Sequence, residues 1–141
     1  MKMTKQQKAR LDRLLPNGEP RWVRVYDNGG VEKGGSIDRY TVVFTGNYSG
    51  RKGCDYLAMN EAPFSPQGFC QHGWSQDAID RPTYGHLGKK IGFSDLPRDC
   101  QVAALADYLC TWGLTKSEAP DHAMARKILG FKRNGVYLVK A

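Results

Sequence analysis

The sequence predicts an α+β fold in which a small antiparallel β-sheet packs against helices in a single domain. Its first half contains runs of Val, Tyr, Phe and Thr separated by Gly and Asn, which are typical of strands joined by turns. Its second half has apolar residues at helical spacing. The length of 141 residues, with 40% hydrophobic and 25% charged residues, fits one globular domain. We divide the chain into an N-terminal basic helix (4–15), an α+β core (21–113) and a C-terminal basic helical segment (115–141).

The N-terminal segment from Thr4 to Leu15 is predicted to form a helix. Thr4 is a candidate cap, and good helix formers follow it. Leu11, Leu14 and Leu15 make one narrow apolar stripe. Residues 16–18, Pro-Asn-Gly, end the helix.

Three strands are predicted in the next part of the chain. Residues 21–26 and 38–45 are strand-like and flank a Gly-rich turn region, which indicates a β-hairpin with a long tip. Residues 54–59 are the third strand candidate. An antiparallel meander is the simplest way to pair the three strands.

Residues 60–88 are rich in Pro and Gly and include several aromatic residues, which predicts a long structured loop. A loop of this length is uncommon and is often a binding element. We expect at least one of Phe69 and Trp74 to anchor the loop by covering the open face of the sheet.

Two helices are predicted in the rest of the chain. Residues 94–97 indicate a cap and first turn, and apolar residues then recur at helical spacing to about Trp112. The second helix has Ser117 or Asp121 near its start and runs to Gly130. Residues 131–141 are a strand or a further helix, and both interpretations stay open.

The positive charge of the protein lies in its flanks. Residues 1–24 carry +5, residues 25–114 carry −2 and residues 115–141 carry +4, which gives the overall +7. A polyanion would therefore contact the terminal segments, unless the charges only cover solvated helix faces. The candidate nucleic-acid-binding residues are Lys5, Lys8, Arg13, Arg126, Lys127, Lys132 and Arg133.

The four cysteines do not form a metal-binding motif. Cys54, Cys70, Cys100 and Cys110 have no Cys-x-x-Cys spacing, so a zinc site built from Cys70 and His72 with a distant ligand is the weaker interpretation. We expect reduced thiols, no metal and no cofactor. The N-terminus has no apolar segment typical of a signal peptide, and the expected location is the cytoplasm, with no membrane association.

The aromatic and amide side chains of the long loop suit a binding surface. Aromatic faces support stacking, and amides give directional hydrogen bonds. Basic residues nearby in the sequence could contact a nucleotide. The candidate ligand- or partner-binding residues are Arg39, Phe64, Gln67, Gln71, His72, Lys89 and Lys90. An enzyme interpretation is also open, with Cys70 as nucleophile, His72 as base and either Asp27 or Asp38 as their companion.

Six short motifs carry a family resemblance. They are YDNGG at 26–30, DRYTVVF at 38–44, SPQGF at 65–69, QHG at 71–73, HLGKKI at 86–91 and DLP at 95–97. Over about residues 22–112 the chain resembles a family of small phage and prophage proteins with no assigned function. The resemblance implies a bacteriophage origin, which fits a compact accessory protein.

Residues 125–137 are similar to part of a helix-turn-helix motif. In that motif one helix ends at Leu129-Gly130, a short turn follows, and a recognition helix begins near Asn134. The alternative is a terminal helix and strand of the core.

These observations together predict a non-enzymatic, anti-defence accessory protein that binds a host or defence protein or a nucleotide. The second function predicted is nucleic-acid binding through the basic termini, and the third is a Cys/His enzyme.

Overall fold

The computed structural model describes residues 4–16, 19–45, 54–75, 86–112 and 121–133. Its described residues confirm the α+β fold, with a five-stranded antiparallel sheet and three helices. Contacts divide the chain into two compact units, and we describe each by itself. The sheet unit runs from Trp22 to Ala104. The helical unit combines the residues up to Arg21 with those from Leu105 onward.

The sheet is an antiparallel meander extended by one strand at its start. The strand order is β4-β3-β2-β1-β5, and each pair of neighbours is antiparallel. The predicted hairpin and the predicted third strand are both confirmed. The strands are β1 (Val23–Asp27), β2 (Tyr40–Phe44), β3 (Cys54–Met59), β4 (Cys70–Ser75) and β5 (Lys89–Ile91).

The central strand β2 forms the core of the sheet unit. Its sequence, Tyr-Thr-Val-Val-Phe, is buried at all five positions. β-Branched and aromatic residues pack well on a pleated surface, and here both faces of the strand are covered. Val25 and Leu57, which lie opposite Val42 on the neighbouring strands, are buried with it.

The prediction of one long loop over residues 60–88 is wrong for Cys70–Ser75, which form β4. This strand contains no β-branched residue, and its Gly73 lowers strand propensity. Pairing with β3 compensates for this, because the ring of Tyr56 lies over Gly73. A Cβ at Gly73 would be 2.3 Å from Tyr56 Cζ. Trp74 is 44% exposed and Phe69 half-buried, so Phe69 is the better anchor of the two.

The helix that follows the sheet, α2 (Arg98–Thr111), starts three residues later than a helix capped at Ser94–Asp95 would. Residues Phe93–Asp95 form a separate 3₁₀ turn, closed by the Gly92 N–H donating to Asp95 Oδ2 at 2.8 Å. The chain is extended at Leu96, as expected before a proline. The first hydrogen bond of α2 runs from the Gln101 N–H to the Pro97 carbonyl at 3.0 Å.

The helical unit contains α1 (Lys5–Leu14) and α3 (His122–Arg133). The predicted stripe of Leu11, Leu14 and Leu15 is buried. Tyr108 donates its hydroxyl proton to the Leu14 carbonyl at 2.9 Å. Burial raises the pKa of Tyr108 to about 12, so the hydroxyl stays protonated and keeps donating at physiological pH.

The start of α3 agrees with one of the two predicted caps. Asp121 Oδ1 accepts a hydrogen bond from the Met124 N–H at 2.9 Å, which satisfies one of the exposed donors of the first turn. The other candidate, Ser117, lies outside the described residues, as do Asn17 and Gly18 at the predicted end of α1.

The helix-turn-helix prediction is wrong at its turn, because α3 does not end at Leu129-Gly130. The helix continues through Gly130 to Arg133. Met124, Ala125, Ile128 and Leu129 are buried and recur at helical spacing, and this packing outweighs the weak helix propensity of one glycine. The predicted recognition helix and the alternative terminal strand both lie mostly outside the described residues.

Replacing Gly130 with Ala is expected to stabilise the protein by about 0.5 to 1 kcal/mol. Outside its own helix, a Cβ at this position meets no atom of the described residues within 4 Å, and Ala loses less backbone entropy than Gly in a helix. Urea unfolding of the wild type and G130A measures the change. Destabilisation by G130A would instead support a glycine-dependent turn at this position.

Candidate functional site

Two ordered loops lie at the same end of the sheet. The β1–β2 loop (residues 28–39) and the β3–β4 loop (residues 60–69) both connect antiparallel neighbours. Because the strands alternate in direction, both loops lie at the same end of the strands. The register places Asp27, Tyr40, Met59 and Cys70 in one row across that end. We call this the loop end of the sheet.

The Asn28 side chain organises the β1–β2 loop. Its Oδ1 accepts a hydrogen bond from the Gly30 N–H at 2.8 Å, and its Nδ2 donates to Ser36 Oγ and to the Asp38 carbonyl, both at 3.0 Å. A Cβ at Gly35 would lie 2.3 Å from Asn28 Oδ1, so the backbone closes tightly around the amide. One side chain therefore ties both ends of the loop together.

Asn60 has the same role in the β3–β4 loop. Its Oδ1 accepts from the N–H groups of Ala62 and Phe69 at 3.2 and 3.1 Å, and its Nδ2 donates to the Gln67 carbonyl at 3.1 Å. The Cys100 thiol, on α2, donates to the Asn60 carbonyl at 3.2 Å. Burial raises the pKa of Cys100 to about 12, so the thiol stays protonated and acts as this donor.

Arg39 joins the two loops. Its Nε and Nη2 donate to Asp27 Oδ1 and Oδ2 at 2.8 and 3.0 Å, and its Nη1 donates to Glu61 Oε1 at 3.3 Å. The guanidinium also lies 5.0 Å from the ring centre of Tyr40. The hydrogen bond with Asp27 raises the pKa of Arg39 further above its ordinary value, so its charge is permanent and largely compensated.

A cleft of about 420 Å³ lies between the two loops. Two aliphatic side chains on its border are strongly exposed, Val31 at 70% and Ile37 at 62%. We call this feature the loop cleft. It is lined by Gly29, Gly30, Val31, Glu32, Ser36, Ile37, Arg39, Asn60 and Glu61.

The Asp27–Arg39 pair should make stability depend on pH. The hydrogen bond from Arg39 holds the pKa of Asp27 below its ordinary value of 3.8. A carboxylate with a lowered folded pKa stabilises the protein above its unfolded pKa and loses this contribution as the pH falls through the folded pKa. We expect wild type to exceed D27N in unfolding free energy by about 1 kcal/mol at pH 6. Urea unfolding should show this gap narrowing below pH 3.8, and a gap that does not change with pH would contradict the assignment.

The structure does not bring the predicted ligand-binding residues together. Gln71 and His72 are neighbours on β4 and point to opposite faces, and the same holds for Lys89 and Lys90 on β5. β4 and β5 are the two opposite edges of the sheet. The remaining three predicted residues, Arg39, Phe64 and Gln67, belong to the two loops, and Phe64 and Gln67 are exposed.

His72 has a different acidic companion from the two expected for an enzyme. Its Nε2 lies 3.4 Å from Oδ1 of Asp55, and its ring stacks on Phe44 with 6.2 Å between centroids. Cys70 shares its face of β4. Of the expected acids, Asp27 is bound to Arg39 and Asp38 accepts a hydrogen bond from the Ser36 hydroxyl.

In the described parts of the chain, no group of three His, Cys, Asp or Glu residues is placed to hold a metal ion.

The predicted nucleic-acid-binding residues fall in the helical unit. Lys5 and Arg13 are exposed on α1, and Arg126 and Lys127 are exposed on α3. Lys8 is half-buried. Lys132 and Arg133 belong to the last turn of α3, and the structure describes their backbone but not their side chains.

Of the residues that line the loop cleft, only Arg39 was predicted from the sequence as a binding residue. Asn28 and Asn60 each directly follow a strand, a position where Asn side chains often bond to nearby backbone, and this was the available signal. Nothing in the sequence marks Val31, Ile37 or Glu61 as neighbours of one cleft, because the two loops are about thirty residues apart along the chain.

No protein-family model matches the chain, and the searches found no similar curated protein or solved structure. Within residues 4–16, 19–45, 54–75, 86–112 and 121–133, no helix has the length and apolar character needed to cross a membrane.

Proposed function

We propose that the protein is a non-enzymatic accessory protein of phage type that binds a host or defence component through the loop cleft. The observation that carries this proposal is the exposure of Val31 and Ile37 beside an ordered cleft. Exposed aliphatic side chains on a border of polar residues are typical of surfaces that a partner covers. The phage origin stays a prediction from the motif resemblance.

The order of the loops supports binding. Asn28 and Asn60 each fix a loop with three side-chain hydrogen bonds, and Arg39 joins the two loops. A surface fixed before binding loses less conformational entropy when the partner arrives, which favours affinity.

The polar groups around the cleft favour binding over catalysis. The cation of the cleft, Arg39, is engaged by Asp27 and Glu61 and is not free to hold a substrate anion. The Cys100 thiol, which donates to the Asn60 carbonyl in the β3–β4 loop, is buried and holds its proton. A nucleophile needs the opposite arrangement, with a neighbouring base or a lowered pKa.

A binding comparison between three proteins tests the proposal. Wild type, V31S/I37S and Q71A are immobilised and incubated with lysate of a bacterial host, and the bound proteins are identified and quantified. We expect at least one protein that wild type and Q71A retain equally and that V31S/I37S binds about 30-fold more weakly or worse, since two buried aliphatics at about 1 kcal/mol or more each contribute at least about 2 kcal/mol. Both substituted positions are exposed, so folding should be preserved.

Equal capture by wild type and V31S/I37S would contradict the proposal. Loss of capture in Q71A alone would move the partner site to β4, where Gln71 is exposed. The unfolding transition of each variant, measured by circular dichroism, shows whether a loss comes from the surface or from the fold.

Nucleic-acid binding by the helical unit is the second candidate function. It is supported by the exposure of Lys5, Arg13, Arg126 and Lys127 within one compact unit. Clustered basic side chains bind phosphates and release counterions, so the affinity should fall steeply with salt.

Neutralising two of these residues should change the salt dependence. We expect R126Q/K127Q to reduce the slope of log K against log [salt] for duplex DNA by about 2, since each phosphate contact contributes about 0.9. The control K89Q/K90Q removes the same charge from β5 in the sheet unit. Equal slopes for R126Q/K127Q and wild type, or no DNA binding at 50 mM salt, would exclude this function.

A further inference from the structure

We infer that the loop cleft binds a cationic segment of a partner protein, with an Arg or Lys side chain entering between Glu32 and Glu61 and apolar neighbours covering Val31 and Ile37. The inference rests on the proposed function and specifies the chemistry of its partner. It also makes a protein the occupant of the cleft rather than a nucleotide.

The charges of the cleft favour a cation. Two carboxylates, Glu32 and Glu61, and one guanidinium, Arg39, line it. The guanidinium is already held by both oxygens of Asp27. The four groups Asp27, Glu32, Arg39 and Glu61 therefore carry a combined charge of −2. The phosphates of a nucleotide would have to approach both glutamates, while Arg39, the one cation among the cleft-lining residues, is already engaged by Asp27 and Glu61.

Both glutamates keep acceptor capacity. Glu61 uses Oε1 for its contact with Arg39 and is 54% exposed, and Oε2 has no hydrogen bond from the described residues. Glu32 is exposed and makes no ion pair in that part of the chain. Its neighbour Lys33 is not among the cleft-lining residues. A guanidinium or ammonium group can therefore be received without breaking an existing bond.

The apolar border fits the rest of a cationic side chain. Lys and Arg bury their methylene stems on apolar surfaces while the charged group stays at a polar site. Val31 and Ile37 provide such a surface next to the two carboxylates. A volume of about 420 Å³ is at the lower end of the range for ligand pockets, which suits one or two side chains.

The distribution of charge along the chain agrees with this occupant. The protein is basic overall, but its excess positive charge lies in residues 1–24 and 115–141, and residues 25–114 carry −2. The cleft belongs to the negative part of the chain. A cationic segment would thus be attracted locally even though the net charge of +7 repels it at long range.

Selection from a random peptide library tests the inference. A displayed library of twelve-residue peptides is selected on the full-length wild-type protein, and the enriched peptides are then tested for binding to E32Q/E61Q. The control D12N/E19Q removes two negative charges from the helical unit. Gln keeps the shape and the hydrogen-bond acceptor of Glu, so the contact with Arg39 is not lost for steric reasons.

We expect the peptides that depend on the cleft to be enriched in Arg or Lys flanked by apolar residues. Their affinity should fall about tenfold in E32Q/E61Q, remain unchanged in D12N/E19Q, and weaken with added salt. Enrichment of acidic or neutral peptides that V31S/I37S fails to bind would overturn the cationic partner while leaving the loop cleft as a binding surface.

If no peptide binds E32Q/E61Q or V31S/I37S more weakly than wild type, the inference is also wrong, and the lysate comparison then decides the proposed function separately. Binding of ATP to the cleft, detected as shifts of the amide signals of residues 28–39 in NMR spectra, would overturn it too.

Discussion

Replacing Gly88 with Ala is expected to destabilise the protein by about 2 to 5 kcal/mol and to disrupt the loop end of the sheet. Gly88 has φ +85°, a conformation that costs an L-residue about 1 to 2 kcal/mol. Its backbone also approaches β1 closely, because a Cβ there would be 2.4 Å from the Asp27 carbonyl oxygen and 2.5 Å from Asn28 Cα. These are backbone atoms, so relief requires movement of Asp27 and Asn28 themselves, at a further cost of about 1 to 3 kcal/mol.

Gly34 provides a matched control for this effect. It has φ +81°, but a Cβ at this position meets no atom within 4 Å. G34A should therefore cost only about 1 kcal/mol, from the backbone conformation alone. Urea unfolding of G88A and G34A separates the two contributions. Equal losses in the two variants would show that the close approach of Gly88 to β1 has no energetic weight.

Replacing Asn28 with Ala is expected to cost about 2 to 3 kcal/mol. The substitution removes three hydrogen bonds, each with a net contribution of about 1 kcal/mol, and leaves the N–H of the buried Gly30 without its acceptor. Asn28 does not line the cleft, but its side chain holds the loop that carries Val31 and Ile37. N28A should therefore also weaken partner binding, through the loss of loop order.

Two further variants distinguish the combined effect of the three Asn28 hydrogen bonds from the loss of a single bond. S36A removes one exposed partner of Asn28 together with the bond of the Ser36 hydroxyl to Asp38, both at the surface, and should cost only about 0.5 kcal/mol. N28D keeps the acceptor for the Gly30 N–H but loses both donations and should fall between S36A and N28A. A loss in N28A no larger than that in S36A would contradict the role of Asn28 in organising the loop.

Elements that a local residue pattern specifies could be predicted from the sequence alone. The β1–β2 hairpin, β3 and the buried stripe of α1 were predicted near their observed positions. In each of these segments, propensity and turn residues agree with the final structure. The α+β class follows from them, because strands and helices segregate along the chain.

The candidate site was only partly accessible from the sequence. Arg39, Phe64 and Gln67 were predicted as binding residues and lie in the two loops, although Arg39 was placed in a predicted strand and expected to contact a ligand. In the structure its charge is used inside the protein, by Asp27 and Glu61. A sequence shows that a cation is present but not whether an internal anion already engages it, since that depends on side chains brought together by folding.

The remaining features depend on contacts between residues that are distant in sequence. β4 has weak strand propensity and forms by pairing with β3, where Tyr56 covers Gly73. β5 has three residues, too few for a recognisable period, and is defined by its pairing with β1. α3 continues through Gly130 because its apolar face is buried. The loop cleft exists because antiparallel pairing brings residues 28–39 and 60–69 to the same end of the sheet, a consequence of strand order that no local pattern contains.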